Sequence, residues 1–189
     1  ISLGLTKSIY IKFLVAVTII IVSNFVVVGQ RNVVEFERIS VEEGLSQSTV
    51  YSILQDHKGF LWFGTDDGLN LYDGYSFKVY LNVPGDDESL SNNRIIALLE
   101  DSKNRLWIGT IGGGLNLFDR RSEKFRAYRN NPNDSNSLSN DRIMALCEDP
   151  SGKIWVGTAD GGLNLFDPES ETFKVYINTT TNPNLLPSN

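Results

Sequence analysis

Residues 89–128 read SLSNNRIIALLEDSKNRLWIGTIGGGLNLFDRRSEKFRAY, and this stretch decides the fold. It contains short apolar runs at 95–100, 106–109, 115–118 and 125–128. They are rich in Ile, Leu and aromatic residues and are separated by turn formers, which fits strands rather than helices. Run one is apolar on both faces, with Ile95, Ala97 and Leu99 on one side and Ile96 and Leu98 on the other. A strand covered on both sides reads this way. The first turn opens on Asp101, whose carboxylate is placed to accept backbone N–H groups two or three residues on.

Outward from this stretch, the pattern recurs. Residues 44–80 read GLSQSTVYSILQDHKGFLWFGTDDGLNLYDGYSFKVY, and residues 137–176 read SLSNDRIMALCEDPSGKIWVGTADGGLNLFDPESETFKVY. Trp62, Trp107 and Trp155 hold the same place, 45 and 48 residues apart. That period means a propeller, a solenoid or an array. Four antiparallel runs per repeat choose the propeller blade. The fold class is therefore all-β: a β-propeller of four-stranded antiparallel blades at 44–80, 89–128 and 137–176. Residues 177–189 are expected to lead into a further blade, and Phe36-Glu-Arg-Ile repeats the run-four pattern at the front. Propellers close with roughly 4–8 blades, so residues 30–189 are expected to be the leading arc of a larger ring.

The same alignment assigns structural roles. Ser52, Ala97 and Ala145 stand mid-run in the innermost strand, where blades converge. Trp62, Trp107 and Trp155 are expected to pack on the next blade. Asp56, Asp101 and Asp149 open equivalent turns and are expected to hold them. Cys147 stands where Leu54 and Leu99 stand and reads as a small core residue, and His57 reads as a solvated turn residue.

Composition narrows the function. Of 189 residues, 41% are hydrophobic and 21% charged, which excludes a disordered tail or a collagen-like rod. The net charge of −6, with no basic block, argues against a nucleic-acid partner. One Cys and one His build neither an intramolecular disulfide, nor a zinc site, nor a catalytic triad, and no cofactor is expected.

Residues 1–29 form a separate segment. Lys7 and Lys12 precede an apolar run at 13–22, Ser23 and Asn24 interrupt it, and small side chains follow. This describes a secretory signal peptide cleaved before Gln30. The alternative is a signal-anchor helix, since 21 residues at about 1.5 Å each span about 30 Å of hydrocarbon. Either reading exports the rest of the chain.

If the four runs alternate in direction, the two-to-three and four-to-one loops share one end of the ring. The one-to-two and three-to-four turns share the other. The latter keep one template, opening with Asp56, Asp101 and Asp149, and with Asp73, Asp119 and Asp167. The former diverge, and divergent loops at one mouth read as a recognition surface. Asp66, Asp67, Arg94, Arg142 and Asp160 are the candidate ligand contacts there, unless they are solvated charges or pair between blades. Asp66-Asp67-Gly68 lacks the further oxygen ligands of a calcium loop. Gly112-Gly113-Gly114 lacks the Lys and helix of a phosphate loop.

The three stretches carrying LWFGTDDGLNLYD, LWIGTIGGGLNLFD and IWVGTADGGLNLFD resemble the two-component regulator propeller repeat. The resemblance covers about residues 33–189. It implies the N-terminal periplasmic sensor part of a hybrid histidine kinase of the Bacteroidetes type, held in the inner membrane and acting as a homodimer. It also implies an oligosaccharide input from polysaccharide breakdown and a phosphorelay output. The alternatives are a propeller-fold carbohydrate-active enzyme with paired carboxylates and a non-sensing docking scaffold. No catalytic residue is assigned within this stretch.

Overall fold

Among the described residues, twelve strands are each bounded by the turn residues that flank the apolar runs. The computed structural model describes residues 38–177, together with Leu14, Val15 and Phe36. The leader reading at 1–29 therefore lies outside the described residues apart from Leu14 and Val15, as does the chain beyond Ile177. Among the described residues no helix is long and apolar enough to cross a membrane.

The first blade is β1 (Val50–Gln55), β2 (Leu61–Thr65), β3 (Gly68–Tyr72) and β4 (Phe77–Tyr80). The second is β5 (Ile95–Glu100), β6 (Leu106–Thr110), β7 (Leu115–Asp119) and β8 (Lys124–Tyr128). The third is β9 (Ile143–Glu148), β10 (Ile154–Thr158), β11 (Leu163–Asp167) and β12 (Thr172–Tyr176). Each blade is an antiparallel sheet in sequential order, and the three form an open arc. A 3-10 turn, Val41–Glu43, precedes the first blade, with Ser40 and Glu43 forming a capping box.

The cores lie between blades. Trp62 meets Phe118 of the second blade edge-on at 5.3 Å, and Trp107 meets Phe166 of the third at 5.4 Å. Both indoles are 1% exposed, as expected of residues that join one blade to the next. Leu90 and Ile95 belong to the first junction, and Leu138 and Ile143 to the second, all fully buried. Trp155 departs from its expected burial: its ring meets Tyr176 of its own blade and it is half-buried. Cys147 likewise is exposed rather than a core residue. Both belong to the face of the third blade on which no further described strand packs.

The inner strands come close enough to require small residues. A Cβ on Gly109 would lie 2.5 Å from Ile143 Cγ2 and 3.2 Å from Ala97 Cβ. A Cβ on Gly64 would lie 2.7 Å from Ile95 Cγ2. The glycine of the second strand and the small residue of the first are thus one device, which admits the β-branched Ile that opens the next blade.

Candidate functional site

The two ends of the blades differ in how they use charge. At the end carrying the one-to-two turns, here the base, Asp56 is buried and fully engaged. Its Oδ1 accepts the N–H groups of Lys58 and Phe60, both at 3.0 Å. Its Oδ2 accepts the Trp62 indole N–H at 2.9 Å and a guanidinium N–H of Arg120, from the second blade, at 2.6 Å. Asp101 repeats this with Lys103, Arg105 and Trp107, but its cation is Arg105 of the same blade, at 2.6 Å. Phe60 holds the position of Arg105 in the first blade, so the first blade lacks its own cation and receives one from across the junction.

Burial pushes both carboxyls up in pKa. Against it, the Trp62 indole, Arg120 and the Lys58 amide hold Asp56 below its ordinary 3.8. The Trp107 indole and the Arg105 amide and guanidinium do the same for Asp101. In both blades the aspartate ties its own turn to the indole of the second strand. His57 is exposed in its turn, as expected, and is also tied across the junction: its N–H donates to Glu100 Oε2 at 2.7 Å, and its Nδ1 lies 2.6 Å from Glu100 Oε1. Ser102 stitches to Glu148 in the same way, through N–H at 2.8 Å and Oγ at 2.6 Å. The residue after the turn Asp is therefore a tie to the next blade. Sequence reasoning missed it because the partner lies over forty residues away.

Another element escaped the sequence reading. Asn70, Asn116 and Asn164 are fully buried in the third strand of each blade. Each accepts the N–H of Ser46, Ser91 or Ser139 at 2.9–3.1 Å. Each also donates Nδ2–H to the same serine's Oγ at 2.7–2.8 Å. The signal was present as a serine 24 or 25 residues before every Leu-Asn-Leu.

At the opposite end, the mouth, the candidate residues come together in two groups. Arg94 of the second blade places Nε 2.9 Å from Asp66 Oδ1 of the first. Tyr51 donates its hydroxyl to Asp66 Oδ2 at 2.9 Å, and the Arg94 guanidinium lies 5.7 Å from the Tyr51 ring centre. Tyr51 was not among the sequence candidates. In the third blade Arg142 pairs with Asp160 at 2.9 Å. Asp67 is exposed, and its N–H bonds to Thr65 Oγ1 at 3.0 Å. The loops are laced together: Gly68 N–H donates to Asn93 O at 2.7 Å, and Gly112 and Gly114 donate to Asp141 O at 2.9 and 3.0 Å.

The four-to-one loops correct the expectation of divergence. Asn82 donates to Leu90 O and Asn130 to Leu138 O, at 2.7 and 2.6 Å. The two loops then descend the rim, where Glu88 O accepts Phe125 N–H and Asn136 O accepts Phe173 N–H, both at 2.8 Å. They share one frame because each bridges two blades. The variable part of the mouth is left to the two-to-three loops and the approaches to strand one.

A family description, the two component regulator propeller, matches residues 44–67, 89–112 and 137–160. These segments are two-component regulator propeller repeats. The extracellular domain of BT3049 from B. thetaiotaomicron, assigned to a hybrid two-component system, superposes with a TM-score of 0.73 at 32% identity. That match covers 80% of this chain and 21% of the solved one. The extracellular domain of BT4673 from the same organism matches with a TM-score of 0.61 at 28% identity, covering 78% of this chain and 19% of that one. Among curated proteins, Histidine kinase P4 of Formosa agariphila is 53% identical over 51 residues, 27% of this chain and 4% of that protein. The chain thus spans about a fifth of the solved extracellular domains and a small part of the kinase. It is homologous to extracellular domains of two-component systems, which supports a sensor role.

Proposed function

We infer that these blades form part of the extracytoplasmic, ligand-sensing propeller of a signal-transduction receptor. Its input is an oligosaccharide released from a polysaccharide, and its output is a histidine-kinase phosphorelay across the inner membrane. The observation that carries this reading is the contrast between the ends. At the base Asp56 and Asp101 are buried and saturated with bonds, whereas Asp66, Asp160, Arg94 and Arg142 at the mouth form solvent-facing pairs held by a laced loop frame. Asp66, Asp67, Arg94, Arg142 and Asp160 are the contacts proposed for the ligand, with Tyr51 added. Carboxylates and guanidinium groups match the hydroxyls of a sugar as acceptors and donors. Similarity to extracellular domains of two-component systems supports the receptor assignment, and the apolar leader supports export.

Signalling requires a ligand that favours one arrangement of the receptor over another, because equal affinity for both shifts nothing. A homodimer would carry that shift across the membrane. The test is a titration of the complete extracellular region with polysaccharide digests, followed by product analysis. Saturable binding without turnover supports the sensor. Turnover supports a carbohydrate-active enzyme, and absence of both supports a docking scaffold. N-terminal sequencing of the exported protein tests the leader: an intact Lys7 contradicts cleavage.

A further inference from the structure

The inner ends of the mouth loops carry a specific balance of charge. Among the described residues, the loops there carry Asp66, Asp67, Asp141 and Asp160 against Arg94 and Arg142. Both guanidinium groups are already committed, Arg94 to Asp66 and Arg142 to Asp160. Asp141 accepts the Asn130 N–H at 2.7 Å and has no cationic partner among the described residues. Asp67 has none either. The other arginine of this end, Arg129, directly follows β8, the outermost strand of its blade, and so stands at the rim. At these three blades an approaching polyanion therefore meets an excess of carboxylate and, among the described residues, no uncommitted arginine on the inner side. To bind a carboxylate or sulfate, Arg94 would have to leave Asp66, exposing that carboxylate beside the incoming charge. A sugar hydroxyl makes no such demand: it donates to Asp66 and accepts from the remaining guanidinium N–H groups while the pair stays intact.

Tyr51 supplies the apolar element. It occupies the same strand-one position as Ile96 and Met144. Ile96 is half-buried with a blade on either side and Met144 is 48% exposed, so this position is not closed off by a junction. Tyr51 is 41% exposed there, its ring held by Arg94 and its hydroxyl by Asp66.

We propose that this part of the mouth selects an electrically neutral, hydroxyl-rich oligosaccharide over a uronate or sulfated one, with Tyr51, Asp66 and Arg94 as one subsite. This rests on the glycan reading above. The test is calorimetric titration of the complete extracellular region with neutral gluco-, galacto-, manno- and xylo-oligosaccharides, and with oligogalacturonate and sulfated galactan fragments. Binding is expected only within the neutral set, weakened about tenfold by Tyr51→Ala. Asp66→Asn, which releases Arg94, is expected to raise affinity for oligogalacturonate about tenfold. Unchanged melting temperatures of both variants separate lost contacts from lost folding. Binding of oligogalacturonate or sulfated galactan by the unaltered protein, abolished by Arg94→Ala, overturns the proposal and leaves the glycan reading standing. Binding of neither set removes both.

Discussion

The base and the mouth are built from the same residue types, Asp and Arg, yet they use them in opposite ways. At the base, Asp56 and Asp101 lie out of water and each accepts bonds from two amides, one indole and one guanidinium. A buried charge is tolerated only when every lone pair is answered. At the mouth, Asp66, Asp160, Arg94 and Arg142 keep roughly 37–66% of their side chains exposed and answer one another through few bonds. Such pairs add little stability. Their place in the fold is held by backbone ties beneath them, so the side chains are free to be chosen for what they meet.

The largest expected effect lies at the junctions. Trp107→Ala removes the contact with Phe166 and the bond to Asp101, and should cost about 3–5 kcal/mol in chemical denaturation. A cost below about 1 kcal/mol would show that the blades are not held through their tryptophans. Next is Arg120→Ala, which leaves the buried Asp56 without its cation and should cost about 3 kcal/mol. Phe60→Arg in that background is expected to recover most of the loss, because it gives the first blade the arrangement that Arg105 provides in the second. Failure of the rescue would mean that Arg120 acts chiefly through Glu100, which it also meets at 2.6 Å.

Acid should act at the base. Asp56 and Asp101 titrate below 3.8 when folded, so their contribution is present above that value and is lost as pH falls through the lower folded value. Melting temperature should therefore drop between about pH 5 and about pH 2, and Asp101→Asn should flatten the drop while lowering stability at neutral pH. A smaller effect is expected at Ser52, whose buried Oγ has no partner among the described residues. Ala stands at the equivalent positions 97 and 145, so Ser52→Ala should be neutral or stabilising by about 1 kcal/mol. Smallest is the mouth pair: Arg142→Ala and Asp160→Ala should each change stability by less than about 0.5 kcal/mol. A larger loss there would make the mouth scaffold as well.

The blades were legible because each strand is short, apolar and bounded by a turn Asp or Gly, and because the third copy repeats the first. The turn aspartates were legible because their amide partners lie within four residues. What was not legible depends on the junctions. His57 was legible as an exposed turn residue but not as a tie to Glu100, and Cys147 read as core because the run does not show which face a neighbouring blade covers. The Arg120-for-Arg105 exchange crosses 64 residues and shows only in three dimensions. At the mouth, Arg94 and Asp66 were legible as candidates, with pairing between blades as the alternative reading, but the part of Tyr51 was not.

The contrast between the ends is tested most directly by hydrogen–deuterium exchange of the complete extracellular region, with and without a saturating binding oligosaccharide. Protection is expected at 66–68, 91–94, 111–114, 139–142 and 159–162, with the turns at 56–60, 101–105 and 149–153 unchanged. Protection confined to those base turns, with the mouth loops unaffected, would contradict the account.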